Sequence, residues 1–294
     1  MKEYVFDKEL KEAVIIKRNS QFTMNVLIDG REEKCHCPAT TRVGDVDVAG
    51  LHCLVSESSA PKRKLKYTVE AISMDDPDEA DKNWVGINLI LSNRIVEFLL
   101  STHQLDSMVS DYDEVKREVF LGISKLDFLV GSTYLEVKTP LTTVNVKYGD
   151  KVKTKKVTPF SSTDRMVKHV RELAGSLKDH ERAILLTVHQ YEPTEIKPHL
   201  HGTNFEEVSA VMREALGKGV ECRNVDLKFT PNGVKLLGVT NTTEDLCKIL
   251  NLIRLICSME NGTSKMRMSI SPIWWRSTRT KIRRCDGNLY HRTI

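Results

Sequence analysis

The chain has 294 residues, of which 40% are hydrophobic and 29% are charged, with a formal net charge of +4. This length can bury the core of two domains. The absence of any run of about 18 apolar residues argues against a membrane span. The charged N-terminus lacks the apolar core of a signal peptide, and the seven cysteines are an odd number. We therefore expect free thiols and a cytoplasmic protein, with a nucleoid or nuclear location left open.

The first 83 residues read as a series of short strands. Residues 13–28 predict two strands followed by a turn at Asp29 and Gly30, and further strands are expected at 33–37, 50–56 and 65–73. This pattern favours a small β-barrel or sandwich. The cationic run of Lys62, Arg63 and Lys64 suits phosphate contacts, although lysines also protect solvated edge strands.

A cysteine and histidine cluster, Cys35, Cys37, His52 and Cys53, raises the question of a zinc site. The spacing matches no tetrahedral zinc pattern, so buried thiols on a strand face are the favoured interpretation.

An acidic, proline-containing segment, residues 75–83, marks the expected domain boundary. Beyond it, residues 88–105 carry apolar side chains at helical spacing. Glu97 on this helix is a candidate metal ligand, and an ordinary surface glutamate is the alternative.

The central motif is residues 117–138, in which two apolar runs are joined by a turn at Gly131 and Ser132. Glu136 and Lys138 share one face of the second strand, and Asp127 lies across the hairpin. Two carboxylates on a half-buried sheet repel one another unless a cation neutralises them. Mg²⁺ or Mn²⁺ suits these oxygen ligands and activates water for phosphodiester hydrolysis. The sequence therefore predicts Asp127, Glu136 and Lys138 as catalytic residues, with Asp127, Glu136 and Glu97 on the metal; solvated carboxylates beside a lysine are the alternative.

Basic and histidine-containing segments follow the hairpin. Residues 147–156 hold five lysines, which suits nucleic acid. A helix is expected at 164–177, where Arg165 and His169 are four residues apart and share a face, as phosphate contacts or as parts of a polar surface. His199 and His201 form a loop pair that usually does not bind metal.

The remaining pattern is a buried strand at 181–190, a helix at 205–216, a strand at 220–227 and a helix at 243–259. This alternation predicts an α/β fold with a mixed sheet over residues 84–240 and a C-terminal extension over 241–294. Residues 262–294 contain eight Lys or Arg and one acid, Asp286. Trp274 and Trp275 among these cations suit single-strand binding, and a poorly ordered basic tail is equally compatible.

Several runs together resemble the sugar fermentation stimulation protein A family over about residues 13–240. They are IIKRNSQFTMNV, PKRKLKYTVE, WVGINLILSNRIVE, REVFLGISKLDFLV, YLEVKT, DRMVKHVREL and AILLTVHQ. The resemblance implies an N-terminal OB-like barrel, a restriction-endonuclease-like α/β domain and DNA binding, with a regulatory role in sugar metabolism. By position, Asp127, Glu136 and Lys138 match the family's nuclease-like triad, and Arg165 and His169 match its downstream Arg and His.

We therefore expect a DNA-binding protein with a nuclease-like, metal-dependent site. A non-catalytic regulatory protein on the same fold is the main alternative, and a scaffold using the tail is a third. DNA is the expected partner, RNA and a homodimer are left open, and no membrane partner is expected.

Overall fold

The computed structural model describes residues 2–39, 42–121, 124–141, 144–147, 150–154, 164–194, 204–261, 280–285 and 288–293. The chain forms two compact units, Met1–Asn251 and Leu252–Ile294. Within the described ranges, no helix is long and apolar enough to cross a membrane.

The first seven strands are, in chain order, β1 (Tyr4–Val5), β2 (Lys11–Ser20), β3 (Thr23–Ile28), β4 (Arg31–His36), β5 (His52–Glu57), β6 (Tyr67–Ser73) and β7 (Trp84–Gly86). The five strands from β2 to β6 form a closed barrel. Strands β2, β3 and β4 form an antiparallel meander, β4 pairs in parallel with β6, and β6 returns to β2 through β5. Asp29 and Gly30 have φ angles of 49° and 75°, as the two-residue turn between β3 and β4 requires. This closure confirms the predicted OB-like barrel.

The second half of the first unit is a sheet covered by helices on both faces. Its elements are α1 (Leu89–Ser101), β8 (Val115–Leu121), β9 (Ser124–Val130), β10 (Thr133–Lys138), α2 (Asp164–Ser176), β11 (Arg182–His189), α3 (Phe205–Gly217), β12 (Glu221–Phe229) and β13 (Gly233–Asn241). Helix α4 (Thr243–Asn261) follows and includes the boundary between the two units at Asn251. Strands β10, β11 and β12 are parallel, whereas β8, β9 and β13 run antiparallel to their neighbours. Helix α1 packs on one face of this sheet, and α2 and α3 pack on the other. The predicted α/β fold with a mixed sheet is confirmed.

Strand β7 connects the barrel to this sheet, because it pairs with β6 on one side and with β12 on the other. At Gly86, a Cβ atom would lie 2.7 Å from Gln190 Cβ and 2.9 Å from Phe229 Cδ2, so only glycine fits there. Strand β1 pairs with β13, which places the N-terminus on the helical half. The predicted division at residue 83 stays a prediction, since both halves belong to one compact unit.

The structure differs from the sequence expectation in several elements. The first run of the central motif is two strands, β8 and β9, which pair antiparallel. The helix expected to reach residue 105 ends at Ser101, shortly before His103 adopts a φ of 55°. Strands β1, β7 and β13 were not expected. In the second unit, β14 (Thr280–Cys285) and β15 (Asn288–Thr293) form an antiparallel hairpin.

Some predicted features lie outside the described residues. They are His199, His201, Lys155, Lys156, Trp274 and Trp275.

Candidate metal centre

Asp127 occupies the point where β9 and β10 separate. The ladder between these strands ends at the pair Leu135 and Phe128. Beyond it, Asp127 Oδ2 accepts a hydrogen bond of 2.8 Å from the backbone N–H of Val137. The carboxylate therefore takes the place of a strand carbonyl. Its other oxygen, Oδ1, accepts 2.8 Å from Asn93 Nδ2 on α1.

Glu136 lies on β10 and is buried, with 2% of its surface exposed. Its Oε1 accepts hydrogen bonds from Lys138 Nζ and from His169 Nδ1 on α2. Its Oε2 is buried and has no hydrogen-bond partner among the described residues. A buried carboxylate oxygen without a donor loses its hydration and gains nothing in return.

The carboxylates of Asp127 and Glu136 affect each other electrostatically. Burial, followed by the nearby Glu136, raises the pKa of Asp127 above its ordinary value. Hydrogen bonds from Val137 and Asn93 and the charge of Lys138 act in the opposite direction. Two desolvated carboxylates thus lie together with incomplete neutralisation.

A divalent cation fits this donor set. It would be held by Glu136 through its unpartnered Oε2 and by Asp127, and it would favour the ionised form of Asp127. In the part of the chain that the structure describes, no group of three or more His, Cys, Asp or Glu has a metal-binding arrangement. The centre would therefore depend on two carboxylates, completed by backbone carbonyls and water, as Mg²⁺ commonly is.

The structure brings together four of the nine predicted site residues. Asp127, Glu136, Lys138 and His169 converge, as described above. Arg165 lies one helical turn before His169 and is exposed at the start of α2.

Glu97, the predicted third ligand, is placed differently. Its Oε2 accepts 2.8 Å from Arg117 Nη1 on β8, and both side chains are about one third exposed. The contacts of the described residues do not test a metal role for Glu97, which stays a prediction.

Asn93 was missed at the sequence level. It lies four residues before Glu97, hence on the same face of α1, and it is the residue that holds Asp127. Its place on the polar side of α1, one turn before Glu97, was the available signal.

The predicted basic segments lie at the barrel. Lys62, Arg63 and Lys64 form the exposed loop between β5 and β6, and Arg63 Nη2 donates 2.8 Å to Thr68 Oγ1. Of the lysine-rich loop, Lys151 pairs with Asp76 at 2.9 Å, and Thr154 forms a β-bridge with Val46. The described part of that loop is thus held against the barrel.

The cysteines of the rejected zinc site are core residues. Cys35, Cys37 and Cys53 are free thiols within the barrel core. Burial raises the pKa of the Cys35 thiol to about 11, so without a metal it stays protonated at neutral pH.

Known protein families and relatives match this chain over most of its length. Residues 16–87 match the family described as SfsA N-terminal OB domain, and residues 90–233 match the Sugar fermentation stimulation protein RE domain. A sugar fermentation stimulation protein homolog of Trichodesmium erythraeum is 34% identical over 244 residues, covering 78% of this chain and 90% of the relative. A homolog of Nostoc sp. is 31% identical over 241 residues, covering 78% of this chain and 94% of the relative.

A solved structure shares the fold. SfsA of Pyrococcus furiosus in complex with Ca²⁺ has a TM-score of 0.64 at 20% identity, covering 81% of this chain and 97% of that one. With both domains matched in order and with these relatives, the chain belongs to the sugar fermentation stimulation protein family.

Proposed function

We propose that this protein binds DNA and hydrolyses phosphodiester bonds with a divalent cation, Mg²⁺ or Mn²⁺, held by Asp127 and Glu136. The observation that carries the proposal is the buried, unpartnered Oε2 of Glu136 beside a second carboxylate whose pKa is raised. The Pyrococcus furiosus relative was solved with Ca²⁺, which supports a hard divalent cation in a protein of this fold.

The cation would supply Lewis-acid polarisation of a phosphoryl oxygen and acidify a water molecule. The chain's own residues prepare the position. Asn93 and the Val137 amide fix both oxygens of Asp127, and His169 fixes one oxygen of Glu136. These bonds leave Glu136 Oε2 as the carboxylate oxygen of the pair that has no hydrogen-bond donor among the described residues.

Lys138 supplies the positive charge of the site. Its ammonium contacts Glu136 Oε1, and its side chain is 29% exposed, so it is accessible to a substrate. From there it orients the attacking water or stabilises negative charge on the phosphorus centre. Arg165, exposed one turn before His169, is placed to contact a neighbouring phosphate.

A non-catalytic DNA-binding protein is the second candidate. Both oxygens of Asp127 already accept hydrogen bonds, Lys138 already partly neutralises Glu136, and His169 Nδ1 hydrogen-bonds the same Glu136 oxygen. These contacts would stabilise the centre without a cation, as in a nuclease fold that has lost its activity.

A cleavage assay separates the two. Labelled single- and double-stranded DNA and RNA are incubated with the full chain in Mg²⁺, Mn²⁺ or EDTA and resolved on denaturing gels. The variants are Glu136→Gln and, as a matched control, Glu214→Gln on the surface of α3, where the carboxylate forms only an exposed pair with Lys218.

Hydrolysis is expected only with Mg²⁺ or Mn²⁺, in the native chain and in Glu214→Gln. Glu136→Gln should cleave about 100-fold more slowly or worse, because it loses the stabilisation of the transition state that the bound cation supplies. If the chain binds DNA but cleaves no substrate under any condition, hydrolysis is excluded and the non-catalytic DNA-binding protein remains.

A further inference from the structure

An outer face of the barrel combines side chains that the metal centre does not use. We define the barrel face as Phe22, Thr23, His36 and Arg63, with the buried Thr68 as the hydrogen-bond partner of Arg63. Met24 and Val26 on β3 are fully buried, and side chains alternate along a strand, so Thr23 points outward. Phe22 lies before the strand begins and does not follow this alternation. Thr23 pairs with His36, and His36 pairs with Thr68, which places the three in one row across β3, β4 and β6. Two strand spacings make this row about 10 Å long.

An exposed aromatic ring lies at one end of the row. Phe22 connects β2 to β3 and has 51% of its surface exposed. Its backbone is fixed, because its carbonyl accepts 2.8 Å from the N–H of Cys37, next to His36. An aromatic ring held at the surface in this way offers a flat apolar platform.

A guanidinium lies at the other end. Arg63, from the loop between β5 and β6, donates from Nη2 to Thr68 Oγ1 at 2.8 Å. This single bond leaves further N–H donors of the guanidinium available. Glu70, the nearest acid on β6, accepts from Ser56 at 2.6 Å and from Asn88 at 2.7 Å.

A neutral histidine lies between the two ends. His36 Nδ1 is buried and has no partner among the described residues. Burial and then Arg63 lower the pKa of His36, while Glu70 raises it. The neutral ring carries one donor and one acceptor, which suits a polar uncharged group of a ligand rather than a phosphate.

The surroundings favour a polyanion. Lys34, Lys62 and Lys64 are exposed around the face. Glu32, the acid on the outer side of β4, accepts a hydrogen bond from Asn25. In five-stranded barrels of this topology, the second and third strands and the two loops that hold Phe22 and Arg63 here are the surfaces that bind oligonucleotides.

We infer that the barrel face binds a single-stranded segment of nucleic acid, with an unpaired base stacked on Phe22, a base edge or sugar hydroxyl on His36 and a phosphate on Arg63. A base inside a duplex is already stacked, so Phe22 discriminates against paired substrate. The inference takes the class of substrate from the proposed function and does not depend on cleavage.

The test is a fluorescence anisotropy titration of the full chain in EDTA. The probes are labelled oligo-dT and oligo-rU of about 12 nucleotides, the length range that one such barrel covers, and a DNA duplex of equal length. The variants are Phe22→Ala, Phe22→Trp and Phe120→Ala. Phe120 is the matched control, since it is 68% exposed on the distant edge strand β8.

Loss of one stacked base should weaken single-strand binding by Phe22→Ala by about 10-fold or more, whereas Phe22→Trp and Phe120→Ala stay within about threefold of the native chain. The two single-stranded probes distinguish DNA from RNA as the better ligand. Equal affinities of Phe22→Ala and Phe120→Ala, or a duplex bound as tightly as the single strands, would overturn the inference.

Two controls keep this outcome separate from the metal centre. EDTA removes divalent cations during the titration, and Glu214→Gln on the surface of α3, outside both sites, should retain native single-strand affinity. Thermal melting of Phe22→Ala should match the native chain, since the ring is exposed. An absence of cleavage would then refute the proposed hydrolysis and leave the barrel-face inference standing.

Discussion

Asp127 Oδ2 accepts a hydrogen bond of 2.8 Å from the backbone N–H of Val137, in the gap where β9 and β10 part. The strand amide is thereby satisfied by a side chain, and the adjacent Glu136 is left without a ladder partner on β9. The contact ties the metal centre to the backbone of the sheet. A change at Asp127 should therefore alter stability as well as metal affinity.

The first prediction concerns pH and Asp127. Because the pKa of this carboxyl is raised in the folded state, its contribution to stability is fully present below the ordinary pKa of 3.8 and is lost as the pH rises through the raised value. Asp127→Asn cannot ionise, so this loss of stability does not occur in the variant. The side-chain amide of Asn93 can rotate so that its oxygen accepts a hydrogen bond from the new amide at position 127. In EDTA at pH 7 the variant should melt about 2 °C above the native chain, with a smaller difference at pH 4.

The measurement is calorimetric melting of both proteins at the two pH values. Adding Mn²⁺ should reverse the order at pH 7, because only the native pair gains a bound cation. If the difference in melting temperature between the two proteins is the same at pH 4 and pH 7, the raised pKa of Asp127 is contradicted.

The second prediction concerns Asn93, which acts through Asp127 as a positioning residue. Asn93→Ala frees Asp127 Oδ1 and should weaken Mn²⁺ binding by about 10- to 100-fold, the usual cost of losing a residue that orients a ligand. The same Mn²⁺ titration on Glu97→Gln compares the contributions of Glu97 and Asn93 to metal binding. A greater loss in Glu97→Gln than in Asn93→Ala would restore Glu97 as a metal ligand.

The third prediction concerns Lys138. Lys138→Met should lower the rate of phosphodiester cleavage by about 100-fold, as loss of a charge aimed at the transition state does. Mn²⁺ affinity should not fall, because removing the ammonium removes a competitor for Glu136. Single-turnover cleavage and Mn²⁺ titration measure the two effects; an unchanged rate would show that Lys138 is structural.

The fourth prediction concerns salt. If Lys62, Arg63 and Lys64 each neutralise a phosphate, their replacement by alanine should reduce the slope of log affinity against log salt by about 2 for single strands. Anisotropy titrations across a range of KCl concentrations measure that slope. An unchanged slope would assign these cations to protection of the barrel edge instead.

The sequence predicted the parts of this structure that depend on local pattern. Alternating residues at β2 and β3 and the Asp29–Gly30 turn define barrel strands without reference to the rest of the chain. The Gly131 turn likewise places Asp127 and Glu136 on facing strands.

The missed features depend on tertiary contacts. Asn93 and Glu97 share a face of α1, and only the packing of α1 on the sheet decides that Asn93 meets Asp127 while Glu97 meets Arg117. Strand β13 pairs at the side of β12 with several exposed positions, so it lacks the apolar run that revealed β11.

The most direct test is equilibrium binding of Mn²⁺ to the metal-free full chain, measured by isothermal titration calorimetry for the native protein, Glu136→Gln and Glu214→Gln. One ion should bind per native chain and per Glu214→Gln chain, with affinity reduced about 100-fold or more in Glu136→Gln. Equal binding by all three proteins, or no binding by the native chain, would contradict a cation site at Asp127 and Glu136.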